Sequence, residues 1–433
     1  MKKINIGLLG LGQIGTGLYE ILTAKKKQIE QSLNVSFEIV RIAEKYPNAK
    51  RKVHPPKKIM TRDALEVVRD PSVDVVVELI GGTTAARSLI KEALKEGKHV
   101  VTANKALLAE YGDEIFELAH KMRRWVCFEA SVGGGIPCIK ALREGLVANN
   151  IESVYAIING TTNYILTQMT ETGMGFNEAL KGAQAKGYAE ADPTLDIQGI
   201  DAAHKLAILV RFAFGGRVKF SDIYSEGITQ ISSDDIAFSK EFGYVIKLLA
   251  IAKKTANGIE ARVQPTLLPK SHILANVNQS FNAVLLRGDE VGDVMFYGRG
   301  AGPHPTASAV IADLVDIAKS NIDIPVDDET VIRALNSRLT VKSITSILSR
   351  YYLRFYVIDK PSVLAAITKV LGRHKVSISD VIQRERSAGK IVPLILLTHE
   401  APEKDVRAAI RSIDRLQFVK GKSQVIRMEE AGT

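Results

Sequence analysis

Cysteine is scarce in this chain: Cys127 and Cys138 are the only two in 433 residues. Two thiols build no disulfide framework, and they fit a reducing cytosol and a structural role. No Cys/His group has the spacing of a zinc site. No apolar run is long enough to span a bilayer. The opening MKKINIGLLGLG contains Asn5, is followed by Gln13, and has no small-residue cleavage site after it. It reads as a first strand entering a glycine turn, not as a secretory signal. A cytoplasmic protein without a membrane partner is expected. The net charge is +10, but no aromatic-plus-basic recognition motif accompanies it. Nucleic acid is therefore not an expected partner, and anionic small ligands or a solvated basic surface remain.

A chain of this length is too long for one core, so two or three domains are expected. The first 130 or so residues alternate short apolar runs with helix-like stretches. The runs are INIGLL, SFEIVRIA, VDVVVELIGG, HVVTAN and WVCFEA; AARSLIKEALKEG and GDEIFELAHKM lie between them. Val- and Ile-rich runs without polar alternation indicate strands buried on both faces, hence a parallel sheet in a doubly wound, Rossmann-type α/β domain. SVGGGIP (Ser131 to Pro137) breaks the pattern as a hinge. The expected organisation is a dinucleotide-binding domain over 1–135, an α+β substrate domain over 136–292, and a segment at about 293–325 returning to the first domain. After about Asp328, YYLRFYVID, VSISDVIQRER, IVPLILLTHE and FVKGKSQVIRM alternate with two helices. That is a self-contained ferredoxin-like βαββαβ module over 350–428.

GLGQIG (Gly10 to Gly15, with Gln13 and Ile14 inside it) matches the dinucleotide fingerprint, with a strand before it and a helix after it. Gly10 allows the tight turn, Gly12 lets backbone approach a pyrophosphate, and Gly15 lets the helix pack on the strand. The pyrophosphate then sits on free N–H groups at the helix N-terminus. After the second strand, Glu44 suits the ribose hydroxyl of NAD. Lys45, Lys50, Arg51, Lys52, Lys57 and Lys58 suit the 2′-phosphate of NADP or a solvated loop. NADP and NAD both remain open.

Ligands bind beyond the carboxyl ends of parallel strands. TANKALLA puts Thr102 and Lys105 there. GYAEADPTLDIQGIDAAHKLAIL (Gly187 to Leu209) gathers Glu190, Asp192, Asp196 and Asp201 before Lys205. On a helix starting near Ile200, Asp201 and Lys205 are an i,i+4 pair on one face. A partly buried lysine beside a carboxylate can exchange protons with a hydroxyl or carbonyl, and the acids suit a substrate bearing an ammonium group. A helix cap with a salt bridge is the alternative.

GLLGLGQIG, VELIGG, TANKALLA, EASVGGGIP, INGTTNYIL, the Gly187–Leu209 stretch and GRGAGPHPTASAV together resemble the homoserine dehydrogenase family over about Lys3 to Asp316. The resemblance implies reversible hydride transfer between a nicotinamide and C4 of L-homoserine or L-aspartate 4-semialdehyde, in threonine, methionine and isoleucine biosynthesis. It implies Lys205 as the acid/base lysine and Lys105 as the lysine lining both the nicotinamide and substrate sites. Glu190 and Asp201 become substrate-binding acids, with Gly160, Thr161, Tyr188 and Asp196 nearby. Glu129 with the carbonyls of Val132, Gly134 and Ile136 becomes a sodium site, a hard-cation donor set of oxygens. Gly302 becomes a further cofactor contact. Where the family often has V-R-D-L after the second strand, this chain has Glu44, Lys45, Tyr46 and Pro47.

The C-terminal module resembles an ACT domain over about Tyr351 to Met428, through VIDKPSVLAAITKVLGRHKVSIS. Many ACT domains have glycine where this chain has Ser362. The module then senses an amino-acid effector such as L-threonine, or serves in assembly. As a self-contained unit, its removal near Asp328 is expected to spare catalysis. A homodimer or homotetramer is expected. A thioester-forming semialdehyde dehydrogenase needs an activated cysteine, whereas Cys127 lies inside the WVCFEA strand and Cys138 follows GGGIP with no histidine nearby. A non-enzymatic amino-acid sensor would leave Lys105, Asp201 and Lys205 without a task.

Overall fold

The computed structural model describes residues 1–320, 337–383 and 387–430. The proposed boundary near Asp328, the end of the returning segment and Arg384 to Arg386 lie outside the described residues. Two compact units are formed. The first comprises Met1–Ile158, Asp201–Ile223 and Phe281–Leu339, and the second Asn159–Ile200, Tyr224–Ser280 and Thr340–Thr433.

The first unit is built on a six-stranded sheet. Its order is Met60–Thr61, Val35–Ala43, Lys2–Leu9, Val75–Glu78, His99–Thr102, Val126–Cys127, and every pair is parallel. That is the doubly wound order, which reverses beside the first strand and opens a crevice there. Val75–Glu78 and His99–Thr102 are buried at every position, which explains their unbroken apolar runs. Met60–Thr61 is too short to show in a hydropathy pattern. TANKALLA follows the strand as expected, but the helix read from GDEIFELAHKM starts earlier, at Lys105: it runs Lys105–Met122, capped by the Asn104 side chain on the Leu107 amide. Helix Pro303–Lys319 shares the core of this sheet, through Val310, Leu314 and Ile317 alongside Ile4, Leu8 and Leu18. Three further strands, Gly292–Arg299, Phe281–Gly288 and Ile151–Ile157, pair antiparallel.

In the second unit, Tyr244–Thr255 and Gly258–Pro269 form a long antiparallel hairpin. The C-terminal module follows βαββαβ: Leu348–Ile358, Val363–Arg373, Ile378–Ile382, Ile391–Thr398, Glu403–Ile413, Gln424–Met428. It has its own core around Tyr351, Leu353, Phe355, Ile367, Leu394 and Ile413. It is nevertheless not self-contained. Its last strand pairs in parallel with the hairpin, Thr266 with Arg427 and Leu267 with Met428. Buried charges cross the same seam: Arg354 grips Asp235 through Nε at 2.7 Å and Nη2 at 3.0 Å. The sequence reading missed this seam because edge-strand pairing leaves no local pattern.

Candidate active site

The glycine turn is shaped by close approach. Gly10 has φ +95°, and a Cβ there would stand 2.9 Å from the Leu79 carbonyl oxygen. A Cβ on Gly15 would stand 2.2 Å from the Gly10 oxygen, so the helix must start flush against the turn. Gly12 differs: nothing lies within 4 Å of its Cβ position. It caps helix Gln13–Ala24 and lines a cleft of about 760 Å³ with Gln13, Lys50, Arg51, Lys52 and Gly302. Backbone open to a cleft at a helix N-terminus is what a pyrophosphate needs. Gly10 and Gly15 lie beneath, while Ile14, Lys45 and Thr102 are not among the lining residues.

Two of the expected cofactor contacts stand apart from the cleft lining. Thr102 is fully buried, and its hydroxyl donates to Glu78 Oε2 at 2.6 Å. Glu78 Oε1 accepts the Ile80 and Gly81 amides at 2.9 and 3.0 Å. Thr102 thus ties together the turns that follow two neighbouring strands, and its hydroxyl faces Glu78. Lys45 has its ammonium 5.4 Å from the Tyr46 ring centroid, while Lys50 and Lys52 line the cleft. Glu44 is engaged as well: it accepts the Leu11 amide at 2.8 Å and the Tyr46 amide at 2.9 Å, and pairs with Arg51 at 3.1 Å.

Helix Ile200–Phe214 carries Asp201 and Lys205 one turn apart, and both are buried. The Asp201 carboxylate bridges two lysines. Oδ2 lies 2.6 Å from Lys205 Nζ, and Oδ1 lies 3.0 Å from Lys105 Nζ. Lys205 also donates to the Ile158 carbonyl at 2.7 Å. An ammonium has three donors, so one N–H of Lys205 is left for a ligand. Lys105 is the more open of the pair, with its side chain 42% exposed against 11% for Lys205.

Within the second unit, Asn159 caps helix Gly160–Thr172 and donates to Asp196 Oδ1 at 2.6 Å. Thr161 Oγ1 lies 2.6 Å from the Tyr188 carbonyl oxygen and 3.0 Å from Asp196 Oδ2. Asp196 therefore pins the loop that presents Tyr188 and Glu190, both exposed. That gives Asp196 and Thr161 a holding role in the loop's own backbone. Glu190 has no side-chain partner among the described residues.

Around the SVGGGIP hinge, Glu129 is buried and accepts the Ile139 and Lys140 amides at 2.9 and 2.7 Å. Burial pushes its carboxyl up to about 7, against the pull of those amides. The Glu129 amide donates to Asp313 at 3.0 Å, and burial together with the Glu129 charge raises Asp313 well above the usual carboxylate range. Sequence reasoning missed Asp313, which sits 184 residues away. Gly134 has φ +57° and no room for a Cβ, which would meet the Gly300 oxygen at 2.5 Å. The Ile136 carbonyl accepts the Cys138 amide at 2.8 Å. The Glu129 carboxylate accepts two amides and the Ile136 carbonyl one, and each of these oxygens keeps a spare lone pair. Both cysteines are free and buried, as their structural reading requires.

Residues 10–129 match the family model "Homoserine dehydrogenase, NAD binding domain", and residues 137–315 match "Homoserine dehydrogenase". The chain belongs to the homoserine dehydrogenase family. It is thus an NAD(P)-dependent oxidoreductase, and residues 351–415 match the ACT domain. A homoserine dehydrogenase of Neisseria gonorrhoeae is 46% identical across 99% of both chains, and that of Bacillus subtilis 39% identical across the whole of both. A crystal structure of a homoserine dehydrogenase from Thiobacillus denitrificans superposes with a TM-score of 0.92 at 46% identity, covering 100% of this chain and 99% of that one. A hyperthermophilic archaeal homoserine dehydrogenase in complex with NADPH shares 28% identity over 75% of this chain and 99% of that one, at a TM-score of 0.62.

Proposed function

We propose that this chain interconverts L-aspartate 4-semialdehyde and L-homoserine, serving threonine, methionine and isoleucine biosynthesis. The observation that carries the reading is the Asp201 carboxylate bridging Lys105 and Lys205. The bound nicotinamide supplies hydride to the aldehyde carbon in reduction and takes it back in oxidation. The electron pair then moves to the aldehyde oxygen, which needs a proton. Lys205 Nζ delivers that proton from its remaining N–H, held on target by Asp201 and Ile158, and solvent restores it. Lys105 orients the same carboxylate from its open side and contacts the cofactor. Glu190 receives the substrate ammonium, on a loop fixed by Asp196, Thr161 and the cap at Gly160.

Gly12, Gln13 and Gly302 hold the dinucleotide, and the amides at the helix start take its pyrophosphate. NADPH is the preferred form. Lys50 and Lys52 line the cleft, and Glu44 is occupied by two amides and Arg51, which leaves it a poor acceptor for a ribose hydroxyl. Glu129 with the carbonyls of Val132, Gly134 and Ile136 would hold a sodium ion beside the hinge. Ser362 supports effector binding: it adopts φ +73°, the left-handed conformation that glycine favours, so the turn keeps its backbone path without glycine. The effector is L-threonine, and the enzyme works as a homodimer or homotetramer. Purified protein given L-homoserine with NADP or NAD should generate reduced nicotinamide absorbance, faster with NADP. Absence of turnover with either cofactor overturns the reading.

A further inference from the structure

A cluster outside the lysine–aspartate site joins the C-terminal module to the loop bearing the substrate acids, and all of it lies within the second unit. Arg427, on the module's last strand, is 3% exposed. Its Nε donates to Glu403 at 2.9 Å and its Nη1 to Glu226 at 2.8 Å. Arg407, on the module's second helix, donates to Glu403 at 2.7 Å and to the Tyr224 hydroxyl at 3.1 Å. The Tyr224 hydroxyl in turn donates to Glu226 at 2.7 Å. Both guanidiniums stand over the Tyr224 ring, at 5.6 Å for Arg407 and 5.3 Å for Arg427. The module thus clasps residues 224–226 by charge, hydrogen bond and ring face.

The other side of that short segment holds the substrate loop. Ser225 Oγ donates to the Gln198 carbonyl at 3.0 Å, and the Ile228 amide donates to the Ile197 carbonyl at 2.9 Å. Gly227 lies so close that a Cβ would stand 2.0 Å from the Ile197 oxygen. Ile197 and Gln198 separate Asp196 from Asp201 in the chain. Segment 224–228 is therefore in contact with the module on one side and, on the other, with Ile197 and Gln198, two of the four residues between those two acids. Closely packed backbone transmits displacement, because interiors have little free volume.

We propose that Glu226 is a positioning residue for the reaction: the Arg427–Glu226 clasp sets where the Asp196–Asp201 stretch lies, and the module acts on substrate affinity through it. This rests on the reading of Asp201 as the acid of the reacting site and of Asp196 as the residue that holds the Glu190 loop. A charge-assisted bond is worth more than a neutral one, so loss of the Glu226 charge frees the segment while Ser225 and Gly227 stay in place.

The test uses the full-length enzyme and steady-state kinetics. Glu226→Gln should raise KM for L-homoserine about tenfold, a change of about 1.4 kcal/mol, with KM for NADP little changed. Glu226→Asp should restore part of the affinity. Ser225→Ala, which removes one hydrogen bond and no charge, should raise the same KM by a smaller factor and supplies the readout if Glu226→Gln fails to fold. Asp235→Asn breaks a different buried ion pair of the seam, Arg354–Asp235, and should lower Tm while leaving KM for homoserine near wild type. An unchanged KM in both Glu226→Gln and Ser225→Ala, or an equal rise in Asp235→Asn, overturns the proposal. Wild-type enzyme without homoserine turnover would instead sink the functional reading itself.

Discussion

Replacing Lys205 by alanine tests the proton relay most directly. Lys205 makes two hydrogen bonds, to Asp201 at 2.6 Å and to the Ile158 carbonyl at 2.7 Å. Its removal leaves Asp201 still paired with Lys105 at 3.0 Å, so no buried carboxylate loses its only counter-charge. The Ile158 carbonyl loses this donor, which costs about 1–3 kcal/mol if nothing replaces it. A positioned acid contributes ~10²–10⁴-fold in rate, or about 3–5 kcal/mol of barrier. Lys205→Ala should therefore lose kcat over that range, with NADPH affinity nearly intact and Tm lowered by a few degrees. Lys105→Ala keeps the Asp201–Lys205 pair and should weaken cofactor affinity as well as rate. The assay is nicotinamide absorbance across pH, paired with fluorescence titration of NADPH. Added methylamine should recover part of the activity of Lys205→Ala, because it restores an ammonium where the side chain was. Near-normal kcat in that variant, or rescue of Lys105→Ala alone, would pass the proton to Lys105 or to water.

Gly12→Ala should fold normally, since nothing lies within 4 Å of the new methyl, yet raise KM for NADPH; Gly15→Ala should lower Tm, because its methyl meets the Gly10 oxygen at 2.2 Å. Thermal melts and cofactor titrations that show the reverse pattern would refute the assigned roles. Lys50→Ala with Lys52→Ala should weaken NADPH binding more than NADH binding, and equal losses by titration would make both lysines plain surface. His99 accepts the Trp125 amide through Nδ1 at 3.0 Å, and burial lowers its pKa from 6.5 to about 4. The unfolded chain then binds the extra proton between those values, so stability is full above pH 6.5 and falls as pH drops toward 4, by roughly 3 kcal/mol at most. His99→Asn should flatten the fall in Tm between roughly pH 7 and 5, and an unchanged slope would assign it to other groups. Truncation before Thr340 removes the strand paired with Gly258–Pro269 and takes Arg354 from Asp235 and Glu429 from Arg262, so the product should aggregate or lose activity; a soluble, fully active truncation by light scattering and kinetics would show the module to be dispensable.

The sheet and the Asp201–Lys205 pair were legible because their signals are local. VVVE and HVVT are apolar without alternation because both faces are buried. Asp201 and Lys205 are one helical turn apart, so their pairing follows from spacing alone. What the sequence concealed are contacts between distant residues. Thr102 meets Glu78 across 24 residues, Glu129 meets Asp313 across 184, and Arg427 meets Glu226 across 201. Each is a buried polar group that must find a partner, and nothing in a single sequence says which. The same limit explains the C-terminal module, whose internal βαββαβ order is periodic and readable while its strand pairing with the hairpin is not.

Glu44 shows how a correctly located residue can carry a different task. Its place after the second strand suits an acid that reads the ribose hydroxyl. A carboxylate has about four acceptor sites, and here the Leu11 amide, the Tyr46 amide and the Arg51 guanidinium share them. Arg51 also donates to the Leu11 carbonyl at 2.8 Å and the Tyr46 carbonyl at 2.9 Å. Glu44 and Arg51 therefore clamp the glycine turn to the loop that follows the second strand, and hold Lys50 and Lys52 beside the cleft. An acid locked this way offers a ribose hydroxyl little, whereas two lysines on a fixed loop offer a phosphate a good deal. The proposed preference for NADP(H) rests on which charges the clamp leaves beside the cleft, and not on the presence of an acid at that position.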